Sequence, residues 1–224
     1  MSFKDNINTW IFDLDNTLYS ADSGIFQQVH NLMGEFVAKN LNMELAEAKK
    51  LQAKYYKQHG TTLRGMMDNH GVDPDYFLEE VHKLDYSIVG PNQNLNDELY
   101  KLEGRKIIYT NANKQHVLDV LEKINLTNFF DEIYDIKMAN YIPTPEISPY
   151  EKIIDLFDIE ANKSAMFDDI AKNLVQAKKV GFTPVWVDAG YENFSDDIEA
   201  SKEYLDFQTR DLSLFLKDVN EGKI

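Results

Sequence analysis

The chain has no cysteine among its 224 residues. Disulfides and thiolate chemistry are therefore excluded, and a reducing compartment is allowed. Positive charge is scarce as well: 23 Lys and Arg stand against 38 Asp and Glu, a formal net charge of −15. Nucleic acid and anionic membrane surfaces both demand a basic face, so neither is expected as a partner. No hydrophobic run approaches the length of a bilayer span, and the opening Met1-Ser2-Phe3-Lys4-Asp5-Asn6 lacks an apolar signal core. A cytoplasmic location is the resulting expectation. The histidines His30, His59, His70, His82 and His116 form no His-x-x-x-His pair, so no zinc site is indicated. Repeats and low-complexity tracts are absent too. With 43% hydrophobic and 27% charged residues, the composition is that of a soluble globular protein. The length suits one generous domain, or a core with a smaller insert.

Against that background one stretch stands out, Trp10-Ile11-Phe12-Asp13-Leu14-Asp15-Asn16-Thr17-Leu18. A short apolar strand runs directly into two carboxylates one residue apart. Two acids held that close repel each other unless a cation or a shared proton lies between them. In open α/β sheets the carboxyl ends of the strands are where ligands bind.

The period of hydrophobicity then changes. Phe26, Val29, Met33, Phe36 and Val37 recur at helical spacing, as do Leu41, Leu45, Ala48, Leu51 and Tyr55. A third helical stretch runs from about Thr61 to His70 and closes at Gly71; a fourth, Pro74 to Lys83, opens with Asp73 as N-cap. Residues 20–88 thus read as an all-helical block. Strands and helices alternate from there: strands at Lys106–Thr110, Glu132–Asp135, Ser164–Phe167 and Pro184–Val187, with helices between them. Alternation at this spacing predicts a doubly wound parallel sheet with right-handed crossovers, a core of residues 1–19 and 89–224, and a helical insert at 20–88. The segment from Asp188 to Ile224 includes an acidic helical stretch, Asp211–Val219, expected to pack on the sheet without visible chemistry.

Several of these strands end in polar groups: Asp13 and Asp15 after the first, Thr110-Asn111-Ala112-Asn113 after the second, Asp168-Asp169 after the fourth, with Asn173 one helical turn later. A parallel sheet brings all these ends to one edge, so four carboxylates are expected to converge there. Such a set suits a hard, oxygen-seeking cation, and Mg²⁺ fits it better than a transition metal.

Asp13-Leu14-Asp15-Asn16-Thr17, Thr110 and Asp168-Asp169 with Asn173 resemble the signature motifs of the haloacid dehalogenase superfamily, whose phosphohydrolases carry a helical C1 cap where the insert lies. Gly60-Thr61-Thr62-Leu63-Arg64-Gly65, Val81-His82-Lys83-Leu84-Asp85-Tyr86-Ser87 and Met166-Phe167-Asp168-Asp169-Ile170-Ala171-Lys172-Asn173-Leu174 are similar to pyrimidine 5′-nucleotidase-type members of that superfamily. The resemblance implies a Mg²⁺-dependent phosphomonoesterase working through an aspartyl-phosphate. Asp13 would be the nucleophile and Asp15 the general acid and then base, its backbone carbonyl also touching Mg²⁺. Asp168 and Asp169 would complete the metal site. Thr110 and the backbone amide of Asn111 would bind the transferring phosphoryl oxygens. Dehalogenases of the superfamily lack an acid at the second position, so Asp15 favours phosphoryl transfer over carbon–halogen hydrolysis. The expected ligand is a small phosphorylated metabolite, foremost a pyrimidine nucleoside 5′-monophosphate, with a sugar phosphate or phosphoglycolate as the alternative; the chain would act as a monomer or homodimer.

The sequence departs from the family at one position. A lysine is expected in the loop before the fourth strand, where this chain reads Ile142-Pro143-Thr144-Pro145-Glu146. Thr144 cannot neutralise charge, and losing such a cation removes about 3 kcal/mol of transition-state stabilisation. Lys137, Lys114 and Lys172 are the candidate replacements, each of them also readable as a surface lysine. A weakly active or non-catalytic relative that binds a phosphorylated ligand is therefore a second reading. Within the insert, Tyr56, Thr61, Thr62, Arg64, His70, His82 and Tyr86 are the polar and aromatic candidates. Arg64, the one arginine before residue 105, and Thr62 are the foremost candidates for substrate contact.

Overall fold

The computed structural model describes residues 3–190 and 198–224. Six described strands, β1 (Thr9–Phe12), β2 (Arg105–Tyr109), β3 (Glu132–Tyr134), β4 (Ser164–Asp168), β5 (Thr183–Val187) and β6 (Phe207–Thr209), form one sheet in the order β3-β2-β1-β4-β5-β6. Every pairing is parallel; Phe12, for example, stands opposite Ile108 on one side and Phe167 on the other. Four helices, α1 (Ile25–Leu41), α2 (Leu45–His59), α3 (Thr62–His70) and α4 (Pro74–Val81), follow β1 in the chain within residues 20–88. The remaining helices are α5 (Gln93–Lys101), α6 (Lys114–Lys123), α7 (Ile147–Phe157), α8 (Ala171–Val180), α9 (Ile198–Lys202) and α10 (Leu212–Asn220).

Strand periodicity divides the core. Trp10 and Phe12 face one side of the sheet, with Ile108, Phe167 and Val185, under Leu99 of α5, Val117 and Leu121 of α6, and Phe215 and Leu216 of α10. Phe12 stacks on Phe167 with ring centroids 4.6 Å apart. Ile11 faces the opposite side, with Ile107, Tyr109 and Met166, under Ile153 of α7 and Leu174 and Ala177 of α8. The inner residues of the insert, among them Phe36, Ala48, Tyr55, Met66 and Phe77, join this second cluster. β1 is flanked on both edges and covered on both faces, which explains its unbroken burial.

The doubly wound sheet and the run of helices after β1 match the expectation from sequence, with strand ends shifted by a residue at most. α4 stops at Val81, short of the expected Lys83, because His82 caps it. Asp73 caps its start, accepting from the Tyr76 N–H at 2.8 Å. Three elements were not anticipated, one of them the short helix α9. α5 offers only Leu95 and Leu99 as apolar residues at helical spacing, in a segment otherwise rich in Asn and Gln. β6 is a three-residue edge strand, Phe-Gln-Thr, too short to show a period. α10 packs on the sheet as expected. Residues 191–197, within the carboxyl-terminal segment read as lacking chemistry, lie outside the described residues.

Candidate active site

The chain leaves β1 for β2 on one side while β4 adds to the other, so the carboxyl ends of β1 and β4 flank the switch in strand order, where ligands bind in open α/β sheets. Asp13 is the first residue past β1, its N–H donating to the Phe167 carbonyl at 2.9 Å. Asp168 is the last residue of β4 and Asp169 follows it. Asp13, Asp168 and Asp169 each offer a carboxylate oxygen within 4.8 Å of the others. Asn173, on the first turn of α8, donates to both oxygens of Asp168 at 3.1 and 3.0 Å, and the Ile170 N–H donates at 2.7 Å. Asn16 donates to Asp169 at 3.4 Å, and Thr17 donates to Asp13 at the same distance. Asn16 has φ 62°, a conformation its short polar side chain tolerates, and this reverses the chain after the two acids.

Packing three anions this closely raises their proton affinity. Burial, then the charges of Asp168, Asp169 and Asp15, holds Asp13 well above its ordinary 3.8. Burial and the charge of Asp168 raise Asp169 likewise. Asp168 rises to about 7 through burial, moderated by the Ile170 and Asn173 bonds. No Lys or Arg pairs with the three among the described residues. The donor set is hard oxygen with uncompensated negative charge, which fits Mg²⁺.

Asp15 is treated differently. Four carboxylates were expected to converge, but the Asp15 carboxylate is not in the group of three. Its Oδ1 accepts from the Tyr19 hydroxyl and from His116 Nε2 at 2.8 Å. Burial pushes Asp15 up, yet the charge of His116 and the bonds from His116 and Tyr19 outweigh it, and its pKa falls below 3.8. His116 is itself buried, with Nδ1 3.0 Å from the Tyr86 hydroxyl and its ring stacked on His82 at 4.5 Å between centroids. Burial and the His116 charge push His82 down to about 3, so its ring is neutral.

Thr110 is buried at the end of β2, where its Oγ1 accepts from the Ala112 N–H at 3.0 Å. The Asn111 side chain is spent on Thr144: Nδ2 donates to Thr144 Oγ1 at 2.7 Å and Oδ1 accepts from the Thr144 N–H at 3.1 Å. Thr144 is thus a buried polar bridge between the β2 loop and the loop before α7. Lys137 is engaged elsewhere, 2.8 Å from Asp75 at the start of α4, and Lys114 and Lys172 are not among the groups around the three carboxylates.

The insert approaches the same edge. Tyr56 of α2 lies near enough for Asp169 and Asp168, after burial, to push its hydroxyl up to about 12. Gly60, at φ 82°, closes α2, and a Cβ there would sit 3.0 Å from Pro143 Cγ. The Gly-Thr-Thr-Leu-Arg-Gly run has a local packing role as well. Thr61 caps α3, Thr62 and Leu63 are buried, and Gly65 lets α3 lie against Tyr55, where a Cβ would meet Cγ at 2.3 Å. Arg64 pairs with Asp68 on its own helix at 3.0 Å, half-exposed, and not with the carboxylate cluster. His70 bonds the Tyr55 hydroxyl at 2.6 Å.

Sequence reasoning passed over His116 and Tyr19. A usable signal existed for His116: it is the third residue of a helix that begins just past a strand end, so it faces the same sheet edge as Thr110. Tyr19 stands four residues after Asp15 in a turn whose course no pattern foretold.

A family model described as "Haloacid dehalogenase-like hydrolase" matches residues 10–187. Phosphate metabolism protein 8 of Saccharomyces cerevisiae is 25% identical over 136 residues, covering 55% of this chain and 42% of that protein. The chain therefore spans about two fifths of the length of this curated relative. A predicted phosphatase from Clostridium acetobutylicum superposes with a TM-score of 0.65 at 17% identity, over 96% of this chain and 99% of that one. L-2-haloacid dehalogenase from Xanthobacter autotrophicus, with chloropropionic acid covalently bound, superposes at 0.59 with 16% identity, over 95% and 98%. At these identities the two structures share the fold and stand on either side of the choice between phosphate esters and carbon–halogen bonds.

Proposed function

The chain belongs to the haloacid dehalogenase-like hydrolase family, and within it we propose a magnesium-dependent phosphomonoesterase acting on pyrimidine nucleoside 5′-monophosphates. One observation carries the reaction class: the two acids of the first turn occupy opposite environments, Asp13 among like charges and Asp15 bonded to Tyr19 and His116. Paired carboxylates pushed apart in this way take different roles. A dehalogenase would need the nucleophile alone; a second acid held apart from the cluster is what a phosphate ester requires.

A divalent cation held by Asp13, Asp168 and Asp169, with the Asp15 backbone carbonyl, would offset their repulsion, keep Asp13 ionised and neutralise phosphoryl charge. An Asp13 oxygen attacks phosphorus, the P–O ester bond breaks, and the leaving oxygen takes a proton from Asp15. Asp15 enters this step in its protonated form, the minor one near neutral pH because His116 and Tyr19 hold its pKa low. Asp15, now ionised, accepts a proton from the water that cleaves the aspartyl-phosphate, and phosphate leaves. The Thr110 hydroxyl and the Asn111 backbone N–H hold phosphoryl oxygens. Asn173 and Ile170 keep Asp168 oriented.

Residues 20–88 serve as the cap over a core of residues 1–19 and 89–224, with Thr62 and Arg64 on the side that reads the substrate; contact by Arg64 requires release from Asp68. The nucleotide assignment is supported by the resemblance in the insert; the name of the yeast relative, which speaks of phosphate metabolism, supports the reaction class. A cytoplasmic location goes with the absence of cysteine and of any membrane-crossing helix among the described residues. Thr144 favours one second reading, a phospholigand binder of low turnover, because no lysine occupies that loop.

Phosphate release from a panel of nucleoside monophosphates and sugar phosphates, with Mg²⁺ and with EDTA, tests the proposal. Metal-dependent release from UMP or CMP, abolished by Asp13→Asn, is the expected result. Release in EDTA, or activity retained by Asp13→Asn, contradicts the mechanism; release from sugar phosphates alone replaces the substrate class.

A further inference from the structure

We propose that His116 is the positioning residue of Asp15, and that it ties this acid–base carboxylate to the segment through which the insert rejoins the core. The inference rests on the phosphohydrolase reading above. Its basis is the direction of the contacts. Tyr19 and His116 both donate to the same oxygen, Asp15 Oδ1. Oδ2 is therefore the oxygen presented to a leaving group.

The two donors differ in origin. Tyr19 comes from the turn that carries Asp15 and moves with it. His116 comes from α6, 101 residues away, and pins the turn to the neighbouring βα unit. Its backbone N–H is independently fixed by the Asn113 side chain at 2.8 Å. A carboxylate can only accept, so Nε2 carries the hydrogen, and on the other side of the ring Nδ1 bonds the Tyr86 hydroxyl at 3.0 Å. His82 fixes the plane of the ring: it stacks on His116 at 4.5 Å and 25°, and is itself held by an Nδ1–H donated to the Leu78 carbonyl at 2.8 Å. His82 caps the last helix of the insert, and Tyr86 opens the short 3-10 turn that follows. The position of the insert is thus communicated to Asp15 through one aromatic stack and one hydroxyl.

A merely structural histidine would give the same packing, so the test must separate the two by chemistry. An alcohol leaving from phosphorus needs the Asp15 proton, whereas 4-nitrophenolate leaves readily without one. kcat/KM reports the steps up to release of that leaving group. The comparison is therefore kcat/KM on the best alkyl ester of the panel against 4-nitrophenyl phosphate, for wild type, Asp15→Asn, His116→Ala, His116→Gln and Tyr86→Phe. We expect His116→Ala to lower the alkyl ester by about 10²-fold while the nitrophenyl ester stays within about threefold. Gln, whose Nε2–H reaches the same oxygen, should recover most of the loss, and Tyr86→Phe should show the same selectivity to a smaller extent. If His116→Ala does not fold, His116→Gln and Tyr86→Phe carry the test through their ester selectivity. Equal losses on both esters, or no loss on either, overturn the positioning role while leaving the hydrolase reading intact, provided Asp15→Asn remains ester-selective. A wild-type chain that releases phosphate from none of the esters overturns the hydrolase reading and this inference with it.

Discussion

Replacing Asp168 with Asn in the metal-free protein should change the pH dependence of stability in a calculable way. Asp168 holds its proton in the fold up to about pH 7, whereas the unfolded chain releases it near the ordinary 3.8. Between those values the folded state binds more protons, so raising the pH destabilises it. At about 1.4 kcal/mol per tenfold change in proton affinity, this one carboxyl takes away about 4 kcal/mol across the window, and about 3 of these fall between pH 5 and 8. His82 works in the opposite sense. Held neutral down to about 3, it costs stability as the pH falls below 6.5. That contribution is common to wild type and Asp168→Asn, and it cancels in their difference. The amide that replaces the carboxylate would mismatch one bond from Asn173, a penalty that does not vary with pH. Removing the Asp168 charge also relaxes Asp13 and Asp169, which enlarges the effect in the same direction. Urea unfolding in EDTA at pH 5, 6, 7 and 8 gives the difference directly. Wild type should lose about 3 kcal/mol relative to the variant on going from pH 5 to 8, and saturating Mg²⁺ should remove the trend from wild type. A difference that is flat with pH, or that grows in favour of wild type, would refute the view that burial keeps Asp168 protonated in the apo fold.

Two further substitutions probe the loop and the insert. Thr144→Lys breaks the bond from Asn111 but supplies the missing cation; kcat on the best ester should rise by about two powers of ten, in line with the ~3 kcal/mol such a charge contributes. A fall would mean that the Thr144–Asn111 bridge itself shapes the phosphate site. Gly65→Ala gains up to about 1 kcal/mol in helix propensity but drives a methyl to 2.3 Å from Tyr55 Cγ. Overpacking of about 1–3 kcal/mol should win, lowering the urea midpoint, and an unchanged or higher midpoint contradicts the close α2–α3 contact.

The order of strands and helices was legible because burial on both faces of β1, β2, β4 and β5 leaves continuous apolar runs, and because Gly71 and Gly181 end helices where the chain needs positive φ. The acids at the strand ends were legible for the same reason: a parallel sheet delivers them to one edge whatever else the chain does. What escaped is set by side-chain direction. Asp13 and Asp15 look equivalent in the sequence, yet one joins Asp168 and Asp169 while the other turns to Tyr19 and His116. The position of His116 early in α6 brings it to that edge, but the sequence does not tell that its ring will turn to Asp15, 101 residues away. The Gly60–Gly65 run shows a second use that its letters do not reveal: it reads as a substrate motif, and much of it also serves a helix cap, a close helix contact and the seat against Pro143.

The most direct measurement is the chemical trapping of Asp13. Asp15→Asn, given 4-nitrophenyl phosphate and Mg²⁺, keeps the nucleophile but lacks the base for the second half-reaction. It should release about one equivalent of nitrophenolate in a burst and then stall, with mass spectrometry locating a hydroxylamine-sensitive phosphoryl group on Asp13. Steady turnover without a burst, or a label on any other residue, would contradict nucleophilic catalysis by Asp13 and the division of roles between the two acids.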